Sequence, residues 1–425
     1  MTTTQEERTE LRRALEALRN GVPNRAAVRV LGSQQTEAQD RFDSLLRAVA
    51  KSIENEEPVA GLLIAGGFGA GKSHVLEHLQ HVALERNFVC SRVVISKETP
   101  LYDPAKVFLA AVDSAVVPDR RGQAVSEIAL KVNVNSPAYV SFYRWATSEQ
   151  SGVSALFPAT LLLYERLRND PELVEQIIRF WSGERIPIAD VRRGLKQIGE
   201  STAFPIRATP VRQLATERFV FLSRLVRGAG YEGWVLLIDE AELMGRYSVL
   251  QRGRAYAEFA RWMGQTDDSF LGVGAVITIT DDYALHVLAE KGDRDIIGPK
   301  LRSKGTDEYA VVAGRAETGM RAIEREAVLL TPPDDVALQD TFERLRDIHG
   351  RAYAWKPPQI ARGSISTTAR MRSYVRRWIT EWDLKRLYPA HDTVIVEDAL
   401  HTSFDEDREL ERESEGTETD LEGDN

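Results

Sequence analysis

The sequence predicts an α/β protein whose core is a parallel sheet between two layers of helices. An apolar run at 61–65 leads through a glycine-rich turn into an amphipathic helix at 73–86, and a second strand follows at 88–95. A strand, a helix and a strand within about 35 residues form a βαβ unit, which builds parallel sheets. A further apolar run at 234–238 ends in two adjacent carboxylates and is typical of another buried strand.

Composition narrows the class of protein. The chain has 425 residues, a length typical of two or three domains. Its one cysteine, Cys90, excludes a disulfide framework and any cysteine-based zinc or iron–sulfur site. The longest apolar stretch without a charge, 151–164, is too short to span a membrane, and the N-terminus lacks the features of a signal peptide. We therefore expect a cytoplasmic protein with no membrane partner.

The net charge of −9 is concentrated at the C-terminus. Residues 397–425 hold thirteen acidic and two basic side chains, so the rest of the chain is almost neutral and nucleic acid stays open as a partner. The same segment cannot bury enough apolar surface to offset the entropy of ordering. We predict an acidic, disordered tail that aids solubility, the alternative being a segment that mimics nucleic acid or grips a basic partner.

The N-terminal part divides at residue 34. Residues 1–34 are expected to form a separate segment, with a charged helix at 5–20 followed by a turn at 21–25. The core, 35–314, begins with an amphipathic helix at 35–54.

The rest of the chain is mostly helical. The stretch between the second and third strands is too long for one crossover, so about 117–205 is expected to be a helical insertion. A last core strand is predicted at 271–280. Residues 315–396 are expected to form a helical lid, and the helix predicted at 367–386 carries one apolar stripe made of Met371, Tyr374, Val375, Trp378, Ile379 and Trp382.

The strongest chemical signal is the run at 66–73, which matches the phosphate-loop pattern G-x-x-x-x-G-K-[ST] without departure. Glycines let backbone N–H groups turn toward phosphate oxygens, and the following helix directs its positive end to the same place. Lys72 would reach the β and γ phosphates, and the Ser73 hydroxyl would coordinate Mg²⁺. The residues expected to bind ATP are Gly66, Gly67, Phe68, Gly69, Ala70, Gly71, Lys72, Ser73 and His74.

Two acids follow the strand at 234–238. Asp239 would hold Mg²⁺ through water, and Glu240 would polarise the attacking water. Many buried strands end in acids, so this pattern is weak alone, but beside a phosphate loop it indicates nucleotide hydrolysis. Together the two motifs predict an AAA+-like P-loop NTPase core that takes ATP and Mg²⁺ as cofactors.

Other residues are candidates for sensing the γ-phosphate. In ATPases of the extended AAA+ type a polar residue at the tip of the strand beside the Asp-Glu strand has this role, and Thr278, Thr280 and Asp281 occupy that region. Threonine is also common in strands for its β-propensity alone.

Three arginines are candidates for completing the catalytic site. Arg294 and Arg302 follow the strand at 271–280 at a distance suited to a trans-acting finger, and Arg370 at the start of the lid helix would sense nucleotide in cis. An exposed arginine is often only a solvated surface residue, so both interpretations stay open.

Two further patterns have structural alternatives that we favour. The run His74-Val-Leu-Glu-His78 matches an inverted zinc-protease pattern, and His81 continues it. Zinc would clash with the nucleotide site, so a solvated polar helix face is the simpler interpretation.

The stretch 362–388 is basic, with Arg362 among its bases and aromatic residues between them, which would suit contact with a phosphate backbone. An amphipathic helix with solvated bases explains the same pattern.

Four stretches are distinctive beyond these motifs: 18–31, the phosphate loop with the residues after it, 94–104 and 227–247. In these stretches the chain resembles the ATP-binding proteins of bacteriophage-exclusion (BREX) systems, the stand-alone BrxD type in particular, over about residues 10–390. The resemblance implies an AAA+-like, origin-recognition-related ATPase with a helical lid, and a role in phage defence beside a helicase and on DNA. The family's phosphate loop corresponds to Gly66–Ser73 and its acidic pair to Asp239 and Glu240, whereas the arginines match by position only.

The sequence thus predicts an ATPase whose hydrolysis moves the lid against the core and changes a partner contact. The candidate partners are double-stranded DNA, a helicase, other BREX proteins and a second copy of the chain. The alternative is a nucleotide-gated scaffold with negligible turnover that assembles defence proteins or DNA. Glu240 favours the enzyme, and the unassigned arginine finger favours the scaffold. A small-molecule kinase fits less well because no acceptor-site pattern is present.

Overall fold

The computed structural model describes residues 4–20, 35–118, 123–360 and 371–389. At its centre lies a five-stranded sheet with the spatial order β2-β3-β4-β1-β5, in which neighbouring strands are parallel. The predicted α/β class and parallel sheet are therefore confirmed. The strands are β1 (Leu62–Ala65), β2 (Val89–Val94), β3 (Trp234–Asp239), β4 (Val273–Ile279) and β5 (Val328–Leu329).

Helices make up most of the remaining described chain. Before β3 they are α1 (Gln5–Asn20), α2 (Thr36–Asn55), α3 (Lys72–Glu85), α4 (Pro104–Asp113), α5 (Ala124–Lys131), α6 (Pro137–Ala146), α7 (Leu156–Arg166), α8 (Pro171–Trp181), α9 (Ile188–Gln197) and α10 (Val211–Gly228). After β3 they are α11 (Val249–Trp262), α12 (Asp293–Arg302), α13 (Asp307–Arg325), α14 (Asp335–Tyr353) and α15 (Met371–Leu387).

Both faces of the sheet are covered, because successive side chains of a strand point to opposite sides. In β1, Leu62 and Ile64 pack into an apolar cluster with residues of α2 and α3. Leu63 and Ala65 belong to a second cluster that contains residues of α4, α10 and α11. This is the three-layer arrangement that the sequence predicted.

The strand order places three strand ends next to each other. Ala65 of β1 is in register with Ile279 of β4, and Ile238 of β3 is in register with Ile277 of β4. Strand β4 therefore lies between the strand that leads into the phosphate loop and the strand that ends in Asp239. A side chain near the end of β4 can reach both, which explains why candidate residues distant in sequence meet at one edge.

The predicted insertion corresponds in position to helices α5 to α9, which lie between β2 and β3. Its apolar side chains join the cluster that covers one face of the sheet, where Phe157 and Trp181 pack against Phe221 of α10. The insertion is therefore packed onto the core rather than held away from it. The bounds 117–205 stay a prediction.

The sheet continues past residue 314, where the sequence placed the end of the core. Helix α13 runs through that position and packs along α11, and a Cβ on Gly319 would lie 2.1 Å from the carbonyl oxygen of Tyr256. Strand β5 then pairs with β1. We predicted no strand here because β5 has only two residues and is recognisable only by its neighbour.

Helix α1 packs against α14 and α15, far from it in sequence. Leu11 and Leu15 share one apolar cluster with Phe342 of α14 and with Trp378 and Trp382 of α15. The described part of the predicted lid helix thus buries the predicted stripe. Residues 1–34 were expected to form a separate segment, but the described helix α1 buries its apolar stripe against α14 and α15.

Replacing Leu15 with alanine is expected to destabilise this three-helix unit by at least about 2 kcal/mol, since a fully buried leucine leaves a cavity. Amide hydrogen exchange in α14 and α15 should rise. Glu16→Ala, at the exposed neighbouring position, is the matched control and should leave exchange unchanged. Unaltered protection of α14 and α15 in Leu15→Ala would show that α1 does not support them.

Some predictions fall outside the described residues, namely those on Gly21–Arg25, Arg362, Arg370 and the tail 397–425. Within the described ranges, none of the helices combines the length and apolar character needed to cross a membrane.

Candidate nucleotide site

The phosphate loop connects the end of β1 to the start of α3. Gly69 and Gly71 have φ angles of 77° and 99°, a region that residues with a Cβ rarely adopt. Gly71 caps α3, and a Cβ built on it would meet no atom within 4 Å, so the loop is open at the point where the helix begins. The N–H of Gly66 donates to the carbonyl of Ile279 at 3.1 Å, which ties the loop to β4. Backbone donors are thereby held at a helix N-terminus, the arrangement that binds phosphate.

Lys72 is the first residue of α3 and is only 8% exposed. Its ammonium Nζ donates to the carbonyl oxygen of Gly66 at 2.8 Å and lies 3.7 Å from Oε1 of Glu242. The side chain therefore folds back over the loop instead of extending into solvent. This places a positive charge inside the concave side of the loop.

Asp239 is held by donors from three different elements. Its Oδ2 accepts from the Ser73 hydroxyl at 2.8 Å and from Nη2 of Arg92 at 3.0 Å, and its Oδ1 accepts from the Thr278 hydroxyl at 2.6 Å. Burial alone would raise the pKa of Asp239, but the hydrogen bonds from Thr278 and Ser73 and the charge of Arg92 lower it below its ordinary value. The side chain is an oriented, ionised carboxylate next to Ser73.

Glu240 follows directly and has an unusual backbone. Its φ of 60° and ψ of 34° lie in the left-handed region, and its N–H donates to Oδ1 of Asp239 at 3.1 Å. The residue is exposed, in contrast to buried Asp239. Partial desolvation and the negative charge of Asp239 raise the pKa of Glu240, which makes its carboxylate a stronger base.

The two threonines of the β4 region separate into different roles. Thr278 donates its hydroxyl to Asp239, so it orients that carboxylate. Thr280 is only 3% exposed, and its hydroxyl has no hydrogen-bond partner within the described chain. A buried hydroxyl without a partner is costly and marks a place where a ligand or water can bind. Asp281, the third candidate, is exposed.

The structure places Arg294 and Arg302 away from these contacts. Arg294 forms an ion pair with Glu324, and Arg302 forms one with Glu317 at 2.7 Å, both glutamates belonging to α13. Both arginines are about half exposed. Their role as finger residues stays a prediction.

Two site residues were not predicted from the sequence. Arg92 of β2 reaches Asp239, and the buried carboxylate of Glu242 faces Lys72. The signal for Arg92 was a charged residue inside a mostly apolar strand. For Glu242 it was the third acid in Asp-Glu-Ala-Glu, in the short helical turn that follows Glu240.

The histidines of α3 do not converge on a common point. His81 makes a 2.7 Å contact through Nδ1 with the carbonyl of Glu77, one turn earlier. Burial, reinforced by His74 and His81, lowers the pKa of His78. Across the part of the chain that the structure describes, His, Cys, Asp and Glu side chains form no group of three placed to hold a metal.

A buried ion pair connects segments that follow two of the site residues in sequence. Asp293, the first residue of α12, accepts from Nε and Nη2 of Arg252, both at 2.8 Å, and from the Tyr256 hydroxyl at 2.6 Å. Arg252 also donates to the carbonyl of Tyr247 at 2.6 Å, and Tyr256 contacts the hydroxyl of Tyr283 at 2.9 Å. The pair thus joins the segment after Glu240, the segment after Thr280 and α12.

The fold and this loop are compatible with the class of P-loop NTPases. Residues 7–128 match the family model described as BREX system ATP-binding protein BrxC/D, so the resemblance stated from the sequence is confirmed over that range. The family name indicates a BREX system ATP-binding protein. The matched range contains the phosphate loop and Arg92 and ends before Asp239. No curated protein and no solved structure matches the chain.

Proposed function

We propose that this chain is a Mg²⁺-dependent, AAA+-like ATPase of a BREX defence system. The observation that carries the proposal is the fixed arrangement of Asp239 between Ser73 of the phosphate loop and Thr278 of β4, with Glu240 next to it. A carboxylate next to the loop serine, followed by an exposed second carboxylate, suits hydrolysis of a bound nucleotide.

The residues present fit ATP and Mg²⁺. The loop 66–71 offers backbone donors, Lys72 supplies a buried positive charge, and Ser73 with Asp239 would hold the metal ion. The hydroxyl of Thr280 is available as a further donor for a ligand because it has no partner among the described residues. When bound, Mg²⁺ would offset the negative charge of the phosphates.

Glu240 would act as the general base. Its side chain is exposed, and its pKa is raised by partial desolvation and by the charge of Asp239, which makes it a stronger base toward water. Its left-handed backbone fixes the direction in which the side chain leaves β3. Lys72 would stabilise charge on the phosphate, and Thr280 would orient water or the γ-phosphate.

The proposed partners are other BREX proteins, a helicase, double-stranded DNA and a second copy of the chain. Helix α15 carries five bases and two acids, which suits contact with a phosphate backbone. Motion of the lid against the core on hydrolysis would alter such a contact.

Steady-state ATP hydrolysis by the purified chain, with and without duplex DNA, tests the proposal. We expect turnover that requires Mg²⁺ and falls about a hundredfold in Glu240→Gln, the lower end of what a general base contributes. ATP binding should persist in that variant. Turnover equal to that of Glu240→Gln under both conditions would refute the stand-alone ATPase.

One observation favours the alternative, a nucleotide-gated scaffold with negligible turnover. Arg294 and Arg302 are paired with glutamates of their own chain, so using either as a finger requires breaking an ion pair. ATP binding without turnover would support the scaffold over the stand-alone ATPase, whereas turnover restored by a second protein would indicate an ATPase that depends on a partner.

Replacing Thr278 and replacing Thr280 are expected to affect stability and turnover differently. Thr278→Val removes a donor from buried Asp239, so it should lower stability by about 1–3 kcal/mol and weaken Mg²⁺-dependent ATP binding. Thr280→Val removes a hydroxyl without a partner, so it should leave stability unchanged or higher and reduce turnover alone. Thermal unfolding measures the stability of the two variants, and ATP hydrolysis measures their turnover. Equal effects of both would contradict the separate roles.

A further inference from the structure

Arg92 is half-buried on the edge strand β2 and is held by two acids. Its Nη1 contacts Oε2 of Glu77 at 3.2 Å, and its Nη2 donates to Oδ2 of Asp239 at 3.0 Å. Glu77 and Ser73 are four residues apart on α3 and therefore lie on the same helix face. Arg92 and Ser73 thus approach the same carboxylate oxygen from β2 and from α3.

The carboxylate of Asp239 has no acceptor position left. A carboxylate offers about four lone-pair positions. Oδ1 accepts from Thr278 and from the N–H of Glu240, and Oδ2 accepts from Ser73 and Arg92. Ser73 can donate its proton to Asp239 while its own lone pair faces a metal ion. Arg92 occupies its position on Oδ2 outright.

We propose that Arg92 is a positioning residue that makes metal entry depend on the nucleotide. Its guanidinium offsets the charge of Asp239 and occupies a position on Oδ2, so that carboxylate alone attracts a divalent cation less strongly. Phosphate groups in the loop would add negative charge beside Asp239, and the cation would enter with them. This inference rests on the proposed nucleotide and Mg²⁺ site, which it deepens.

The proposal also predicts that removing the charge of Glu77 changes the Mg²⁺ requirement in the direction opposite to removing Arg92. Glu77 shares the guanidinium with Asp239 and keeps part of its charge away from the metal side. Removing the charge of Glu77 should strengthen the hold of Arg92 on Asp239 and raise the Mg²⁺ requirement. Removing Arg92 should lower that requirement. A purely structural ion pair would make both variants worse.

The test measures metal binding, not turnover. Mn²⁺ binding to the nucleotide-free full chain is followed by electron paramagnetic resonance, and binding of fluorescent ADP is titrated with Mg²⁺. For Arg92→Gln we expect measurable Mn²⁺ binding without nucleotide and a Mg²⁺ half-saturation lowered about tenfold, the size of effect a neighbouring charge has on a carboxylate. For Glu77→Gln we expect the opposite shift.

Controls separate folding from electrostatics. The double variant Arg92→Gln/Glu77→Gln has the wild-type net charge but leaves Asp239 without its guanidinium partner, so it should behave like Arg92→Gln. Arg92→Lys keeps the positive charge and should stay near the wild type. A half-saturation unchanged within twofold, or raised, in Arg92→Gln and in the double variant would overturn the inference. Wild-type protein that binds no fluorescent ADP even with Mg²⁺ would instead refute the proposed function.

Discussion

Replacing Lys72 with methionine is expected to weaken ATP binding by between about thirtyfold and several thousandfold. Truncating one member of a buried, hydrogen-bonded charge pair usually costs about 2–5 kcal/mol of binding free energy. Lys72 meets that description, because its ammonium is buried against the loop carbonyl of Gly66. Methionine keeps the apolar stem and removes only the charge. Fluorescent nucleotide titration measures the loss.

The matched control is Lys51→Met, because Lys51 is an exposed lysine on α2 and should have no role in binding. Binding by Lys72→Met within threefold of the wild type would show that the loop 66–73 is not the nucleotide site. The comparison separates loss of this charge from loss of any lysine.

The same substitution has a consequence for pH. Burial raises the pKa of Glu242 above its ordinary value of 4.5, and Lys72 opposes that rise. Without Lys72 the folded state holds the proton of Glu242 more tightly than the unfolded chain does. The contribution of Glu242 to the stability of Lys72→Met should therefore be greatest below pH 4.5 and fall as the pH rises through the folded pKa. Adding Glu242→Gln should remove this dependence.

Much of the site was predictable because its chemistry requires particular residues in a short run. The turn at 66–73 admits only residues that permit left-handed backbone at Gly69 and Gly71, and those glycines are visible in the sequence. Asp239 was predictable because it follows an apolar strand. Its partners were harder to find, because Arg92 and Thr278 reach it only through the strand order β2-β3-β4.

At the two ends of the chain, the local sequence pattern does not indicate which elements pack together. The apolar stripe of α1 was recognisable, but nothing near it in sequence indicates that Phe342 and Trp378 would cover it. Strand β5 is too short for periodicity to detect. Both features depend on contacts between residues more than two hundred positions apart.

Arg252 and Asp293 illustrate the same limit in the buried interior. They are 41 residues apart and neither belongs to a motif, yet they form a fully buried ion pair. Tyr256 and the carbonyl of Tyr247 supply the remaining hydrogen bonds, so the two charges are compensated on several sides. Such a pair is a poor source of net stability but is costly to break, because the remaining charge stays buried.

Arg252→Met is therefore expected to lower the free energy of unfolding by about 3–5 kcal/mol, because it leaves Asp293 buried and uncompensated. Urea denaturation measures the loss. Adding Asp293→Leu should recover most of this loss, since an apolar pair of similar volume removes the buried charge altogether.

Arg294→Met is the matched control and should cost less than about 1 kcal/mol, because the ion pair of Arg294 is exposed. A loss in Arg252→Met no larger than that in Arg294→Met would contradict the assignment. Because the pair joins the segments after Glu240 and Thr280, recovered stability without recovered turnover would mean that its charges also position the catalytic residues.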